Sequence, residues 1–126
     1  MILTLPFPPS VNSYYRAPNK GAAQGRYLIS QRGRQYRNEV KVAVVEQLRR
    51  LPTPITSDVR VDILVSRPDK RKRDLDNLQK ALFDSLTFSR VWKDDSQIVD
   101  IRIKWAGVTK NGSVSIEIFE VEKVNG

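Results

Sequence analysis

The residues of this sequence best suited to chemistry are carboxylates. Asp74 and Asp76 flank Leu75 directly after the run Lys70-Arg71-Lys72-Arg73, and Asp95 comes 19 residues beyond Asp76, behind Trp92-Lys93-Asp94. In extended chain, residues two apart share a face. Asp74 and Asp76 then point the same way, while Leu75 turns toward a core. Two carboxylates on one face need a cation, either a neighbouring Arg or Lys or a hard metal ion. The chain has no His and no Cys, which removes imidazole bases, His-ligated metals, disulfides and thiolate zinc sites together. Oxygen-only donors favour Mg²⁺ or Mn²⁺. An ion held by Asp74, Asp76 and Asp95 would polarise a phosphate, lower the pKa of a bound water and stabilise a leaving oxygen. Lys80 stands four residues after Asp76 on one helical face, where it would steady the acids or lend charge to the transition state.

Each feature also has a plainer reading. Asp74 or Asp76 would be a helix N-cap, and Lys70 to Arg73 a solvated loop. Asp94-Asp95 would be a turn before a strand, and Lys80 a surface partner of Asp76 and Asp84. A cap accounts for one aspartate, but not for two on one face.

The elements that must position these residues are set by periodicity. Ile2 to Leu5 reads as a short strand ended by Pro6, and the prolines of Pro6-Phe7-Pro8-Pro9 exclude regular structure there. Residues 10 to 26 read as a polar loop, and Tyr27-Leu28-Ile29 as a second short strand. Ser30 is an N-cap signal for a helix to about Arg50, with Tyr36, Val40, Ala43, Val44 and Leu48 as its apolar stripe. Val59, Val61, Ile63 and Val65 alternate as a strand that Pro68 stops. A second helix, from Asp74 or Asp76 to Phe88, turns Leu75, Leu78, Leu82, Ser85 and Leu86 inward. Val99, Ile101, Ile103 and Trp105 form a further strand. Asn111-Gly112 signals a hairpin to the strand containing Val114, Ile116 and Ile118. The expected fold is α+β, a single small domain over 1–126, with a mixed or antiparallel sheet carrying two main helices on one face. If the Val99 strand runs antiparallel beside the Val59 strand, Asp95 comes close to Asp74 and Asp76.

The chain carries a net charge of +8, from 22 Lys and Arg against 14 Asp and Glu. Such a field suits a polyanion, with nucleic acid ahead of an anionic membrane surface. The basic candidates for phosphate contact are Arg16, Lys20, Arg26, Lys70, Arg71, Lys72 and Arg73. Tyr14 and Tyr15 would either stack on unpaired bases or pack the loop, and packing is the expected role. No apolar run approaches the ~20 residues that span a bilayer, and the opening residues lack a signal-peptide pattern. A cytoplasmic protein with no membrane partner and no small-molecule cofactor is expected.

Several segments together resemble the RusA-type Holliday junction resolvases of bacteria and of lambdoid phages or prophages. They are Pro8-Pro9-Ser10-Val11-Asn12-Ser13-Tyr14-Tyr15-Arg16, Arg71-Lys72-Arg73-Asp74-Leu75-Asp76-Asn77-Leu78-Gln79-Lys80-Ala81, Phe83-Asp84, and Trp92-Lys93-Asp94-Asp95-Ser96-Gln97-Ile98-Val99-Asp100. Length and segment order agree over nearly the whole chain. The resemblance implies a homodimeric endonuclease requiring Mg²⁺ or Mn²⁺, which nicks four-way DNA junctions symmetrically in recombination and repair. It puts the family's essential acids on Asp74, Asp76 and Asp95 and its functional lysine on Lys80. The alternatives are a non-enzymatic architectural DNA-binding protein and a nuclease for another branched nucleic acid.

Overall fold

The computed structural model describes residues 1–17 and 28–122. Strand β1 (Ile2–Leu5) leads through the proline segment into a single helical turn, α1 (Val11–Tyr14), and two short paired strands, β2 (Tyr15–Arg16) and β3 (Leu28–Ile29). Helix α2 (Gln31–Leu48), strand β4 (Asp58–Arg67) and helix α3 (Asp76–Phe88) come next. A short 3₁₀ turn (Asp95–Gln97) then leads into β5 (Ile98–Val108) and β6 (Ser113–Val121). Strands β1, β4, β5 and β6 form one mixed sheet in the order β1-β6-β4-β5. Both main helices lie on one face, giving the expected α+β architecture.

Alternation explains which face is covered. Val59, Val61, Ile63 and Val65 of β4, Val114, Ile116 and Ile118 of β6, and Leu3 and Leu5 of β1 are all buried. They meet Tyr36, Val40 and Val44 of α2 and Leu78, Leu82 and Leu86 of α3 in one core. The residues between them on β4, such as Arg60, Asp62 and Leu64, are partly or fully exposed on the opposite face. Helix α2 begins as its sequence predicts: the Ser30 hydroxyl accepts from the Gly33 amide at 2.9 Å. It stops where Arg49 turns left-handed, at φ 60°. The side-chain amide of Gln47 ties α2 to β1, accepting from Thr4 N at 2.8 Å and donating to Thr4 O at 2.6 Å.

Three expectations are corrected. The stretch read as a polar loop contains α1 and β2, and its Tyr14 is fully buried. Gly33 permits this: a Cβ there would come within 2.4 Å of the Tyr14 carbonyl oxygen, so α1 can rest on the start of α2 only without one. Tyr14 therefore packs and cannot stack on a base. The second correction concerns β5, which pairs with β4 in parallel rather than antiparallel, in a register from Val59↔Ile98 to Arg67↔Val108. Its start thus lies beside the start of β4, and α3 is the crossover between two parallel strands. The third concerns Asn111-Gly112, which does not close a hairpin between neighbours. β6 pairs antiparallel with β4 and β1, so β4 lies between β5 and β6. The local turn chemistry is nonetheless present, with Asn111 at φ 68° and Gly112 at φ 67°. The connection is pinned to the end of β4 by Thr109 N donating to Arg67 O at 2.8 Å. Lys20, Arg26 and Tyr27 lie outside the described residues.

Candidate active site

The acidic segment lies where β4 passes into α3. Pro68 ends the strand, and Asp69 organises the loop after it. Its carboxylate accepts from the Arg71 backbone amide at 2.9 Å. It also accepts from Arg71 Nε and Nη2 at 3.2 and 3.0 Å, and from Arg73 Nη1 and Nη2 at 2.8 and 3.1 Å. The hydrogen bonds from Arg73 and then Arg71 hold the Asp69 carboxyl well below its ordinary range. Both arginine forks are thereby turned back onto Asp69 and away from Asp74 and Asp76.

Neither of those two aspartates is a cap. The N-cap position of α3 is Leu75, with no side-chain cap hydrogen bond. Instead the first turn closes through backbone, with Asn77 N donating to Asp74 O at 3.2 Å. Both aspartates are exposed. Among the described residues, neither carboxylate is in an ion pair or a side-chain hydrogen bond. That is unexpected beside four consecutive cations, and Asp69 accounts for the two arginines among them. Arg73 is additionally drawn over the Phe7 ring, 5.5 Å from its centroid.

Asp95 opens the 3₁₀ turn that precedes β5. Asp94, its neighbour, is the cap of the 3₁₀ turn and accepts from Ser96 N at 3.2 Å. The Ser96 side chain, and then this backbone amide, lower the Asp94 pKa. Gln97 completes the box: its side-chain oxygen accepts from Asp94 N at 2.9 Å and Lys93 N at 3.0 Å. Its amide donates to the carbonyls of Ile55 and Ser57 at 2.8 and 2.7 Å. The turn is thus anchored to the segment just before β4, and Asp94 is occupied by the backbone. Asp95 is left to face Lys80, with Nζ to Oδ2 at 3.9 Å. Lys80 pairs with Asp95, not with Asp76 or Asp84 as the plainer reading has it. At 3.9 Å between exposed groups the pair is loose and weakly stabilising.

The structure therefore brings Lys80 and Asp95 together and places Asp74 and Asp76 one to two turns before Lys80. Among the described residues, no three carboxylates form a ready-made cage for one ion. Mg²⁺ commonly takes one or two carboxylates and completes its shell with water and substrate phosphate. An all-oxygen, exposed and largely unneutralised donor set fits such an ion.

A second polar cluster has no counterpart in the sequence pattern. Asp84, two turns beyond Asp76 on α3, accepts from Arg37 Nη2 at 2.7 Å and Nε at 3.1 Å, and from the Tyr14 hydroxyl. Arg37 Nε also reaches the Tyr14 oxygen at 2.8 Å. Burial, and then the Asp84 hydrogen bond, push the Tyr14 pKa up to about 12. Burial acts to lower the Arg37 pKa, but the bonds to Asp84 and Tyr14 outweigh it and raise the value. This cluster joins α1, α2 and α3. Arg37 reads in sequence as one of several cations off the α2 stripe, and only its position one residue after buried Tyr36 hints at an inner role. Of the basic candidates, Arg16, Lys70, Arg71 and Lys72 are exposed. The Arg73 side chain keeps only 20% exposure.

With fold and site in view, the chain can be placed: it belongs to the RusA family of endodeoxyribonucleases, whose family model matches residues 6–119. Among curated relatives, it is 42% identical over 119 residues to a crossover junction endodeoxyribonuclease RusA of Shigella sonnei (strain Ss046), covering 94% of this chain and 93% of the relative. The protein of that name from Escherichia coli (strain K12) is 41% identical, with the same coverage of both chains. The one from Enterobacteria phage 82 is 42% identical. Among the described residues, no helix is long and apolar enough to cross a membrane.

Proposed function

We propose that this protein is a crossover junction endodeoxyribonuclease, resolving four-way DNA junctions by paired nicks during recombination and repair. The observation that carries the reading is the pair of aspartates, Asp74 and Asp76, that no cation among the described residues neutralises, in a chain of net charge +8. Family membership supports the same activity. Asp74, Asp76 and Asp95 would hold the divalent ion, Mg²⁺ or Mn²⁺. That ion would supply Lewis-acid polarisation of the phosphate and neutralise charge on the leaving oxygen. Lys80 holds positive charge beside Asp95 and offsets the negative charge that develops on the phosphate. Arg16, Lys70, Arg71 and Lys72 bind flanking phosphates without reading sequence, as do Lys20 and Arg26 in this reading. A bacterial or phage cytoplasm is the setting consistent with the relatives.

A four-way junction has two-fold symmetry, and two matched nicks require two matched sites, which a C₂ homodimer provides. The sheet leaves β5 at its edge, with Val99, Ile101 and Val108 exposed. Sedimentation should give a dimer mass.

The direct test is a labelled four-way junction incubated with and without Mg²⁺. Paired nicks near the crossover with the wild-type chain, and binding without cutting by Asp74→Asn, are expected. Intact strands in every divalent ion tested would instead indicate an architectural DNA-binding protein.

A further inference from the structure

We infer that the cleft beside Asp74 is a subsite for one unstacked nucleobase of the DNA strand being cut. The inference rests on the endonuclease reading and adds a ligand site to it. The cleft has a volume of about 590 Å³, within the usual range of ligand sites, and Asp74 and Asn77 line it together with Phe7, Pro8, Pro9 and Arg32.

The walls are flat, apolar and already fixed. The proline rings have no rotamers to lose. Phe7 is held from two sides: a Cβ at Gly112 would come within 2.9 Å of its ring, and the Arg73 guanidinium lies over it at 5.5 Å. A pre-formed wall lowers the entropy cost of binding. The polar lining is Ser10, Ser13, Arg32, Arg73, Asp74 and Asn77. Arg32 offers a guanidinium on a side chain that is 44% exposed, 3.5 Å from Glu39 and 5.9 Å from the centre of the Tyr36 ring. Asn77 offers both a donor and an acceptor. Flat apolar walls, guanidinium groups and one amide suit a heterocycle with apolar faces, polar edges and an anionic tether. Because Asp74 lines the same cleft, the nucleotide whose base enters it carries its phosphate to the acidic segment. A branch point is where extrusion costs least, since its bases are the least well paired.

The test uses the full chain and a four-way junction carrying 2-aminopurine next to each scissile phosphate, with no divalent ion so that strands stay whole. Binding of the wild-type protein should raise 2-aminopurine fluorescence severalfold as the base leaves the stack. Two variants probe the cleft without touching the acids. Ser13→Trp fills it from an exposed residue of its lining, and Arg32→Ala removes the one of its two arginines that Asp69 does not hold. Both should suppress the fluorescence rise by more than half, while junction affinity at low salt stays within about threefold of wild type. Circular dichroism confirms that each variant is folded. A rise unchanged in both variants, or no rise in wild type at saturating binding, would overturn the subsite while leaving Mg²⁺-dependent cutting intact. A wild-type chain that neither binds nor cuts the junction in Mg²⁺ would overturn the endonuclease reading, and the subsite with it.

Discussion

Asp69 and Asp84 are each gripped by arginine, whereas Asp74 and Asp76, between them on the same loop and helix, face solvent with no cation among the described residues. Local geometry rather than composition makes the difference. Asp69 accepts the amide of Arg71 two residues on, which fixes its carboxylate under both guanidinium forks. Asp84 lies at the level of α3 that faces Arg37 and buried Tyr14. Arginine forks prefer such fixed, bidentate partners. In a strongly basic protein, keeping a carboxylate free for another cation takes a second carboxylate to occupy the nearby arginines.

The sharpest break of this comparison is removal of an acid that no arginine grips. Asp76→Asn and Asp95→Asn should each lower the junction-cleavage rate by more than about 100-fold, since metal charge stabilisation is worth several kcal/mol. Folding and DNA binding should persist, because both side chains are at least partly exposed. Single-turnover cleavage checks this, and near wild-type rates would remove either residue from the site.

The gripped acids should instead affect stability. Arg37→Ala leaves the Asp84 carboxylate and the Tyr14 hydroxyl without their shared donor. With the Arg37 and Asp84 side chains 24% and 26% exposed, a loss of about 2 kcal/mol is expected in urea denaturation. Its cleavage rate per folded molecule should change little.

Asp69→Asn tests the link between the two sets. Freed arginines would swing toward Asp74 and Asp76 and compete with the ion. The Mg²⁺ concentration for half-maximal cleavage should rise severalfold, while junction binding at low salt tightens because a negative charge is lost. An unchanged Mg²⁺ requirement would show that Asp69 merely shapes the loop.

The smallest effect concerns Tyr14. Its folded pKa of about 12 lies above the ordinary 10.0. The neutral hydroxyl thus favours the fold fully below pH 10, and that contribution is lost as pH rises from 10 to 12. Tyr14→Phe should remove part of the alkaline loss of stability seen in urea midpoints. Tyr36, also raised by burial, retains its share.

Much of this is legible in sequence where it depends on local pattern. The Ser30 cap and the β4 alternation depend on neighbours within a few residues, but Asp74-Leu75-Asp76 is not the extended stretch its sequence suggests: Leu75 is helical (φ −60°, ψ −39°) and Asp76 opens α3, so the extended-chain argument for a shared face does not hold. Strand partners are not legible. Alternation in β5 says which side chains share a face, not whether the adjacent strand is parallel, and Asn111-Gly112 specifies a turn without specifying what lies between the strands it joins. The Arg37–Asp84 bond spans 47 residues, and no spacing rule reaches that far. Asp94 and Asp95 are equivalent as sequence. They part only when Gln97 and Ser96 bond to the first, leaving the second to Lys80.

In the proposed site the acids that no arginine grips hold the ion, and Asp69 and Asp84 do not. Mn²⁺ titration of the junction-bound protein, monitored by electron paramagnetic resonance, tests this most directly. Asp74→Asn should abolish the bound-Mn²⁺ signal, while Asp69→Asn should keep it with affinity weakened severalfold at most. Full Mn²⁺ binding by Asp74→Asn, or an equal loss in both variants, would contradict the account.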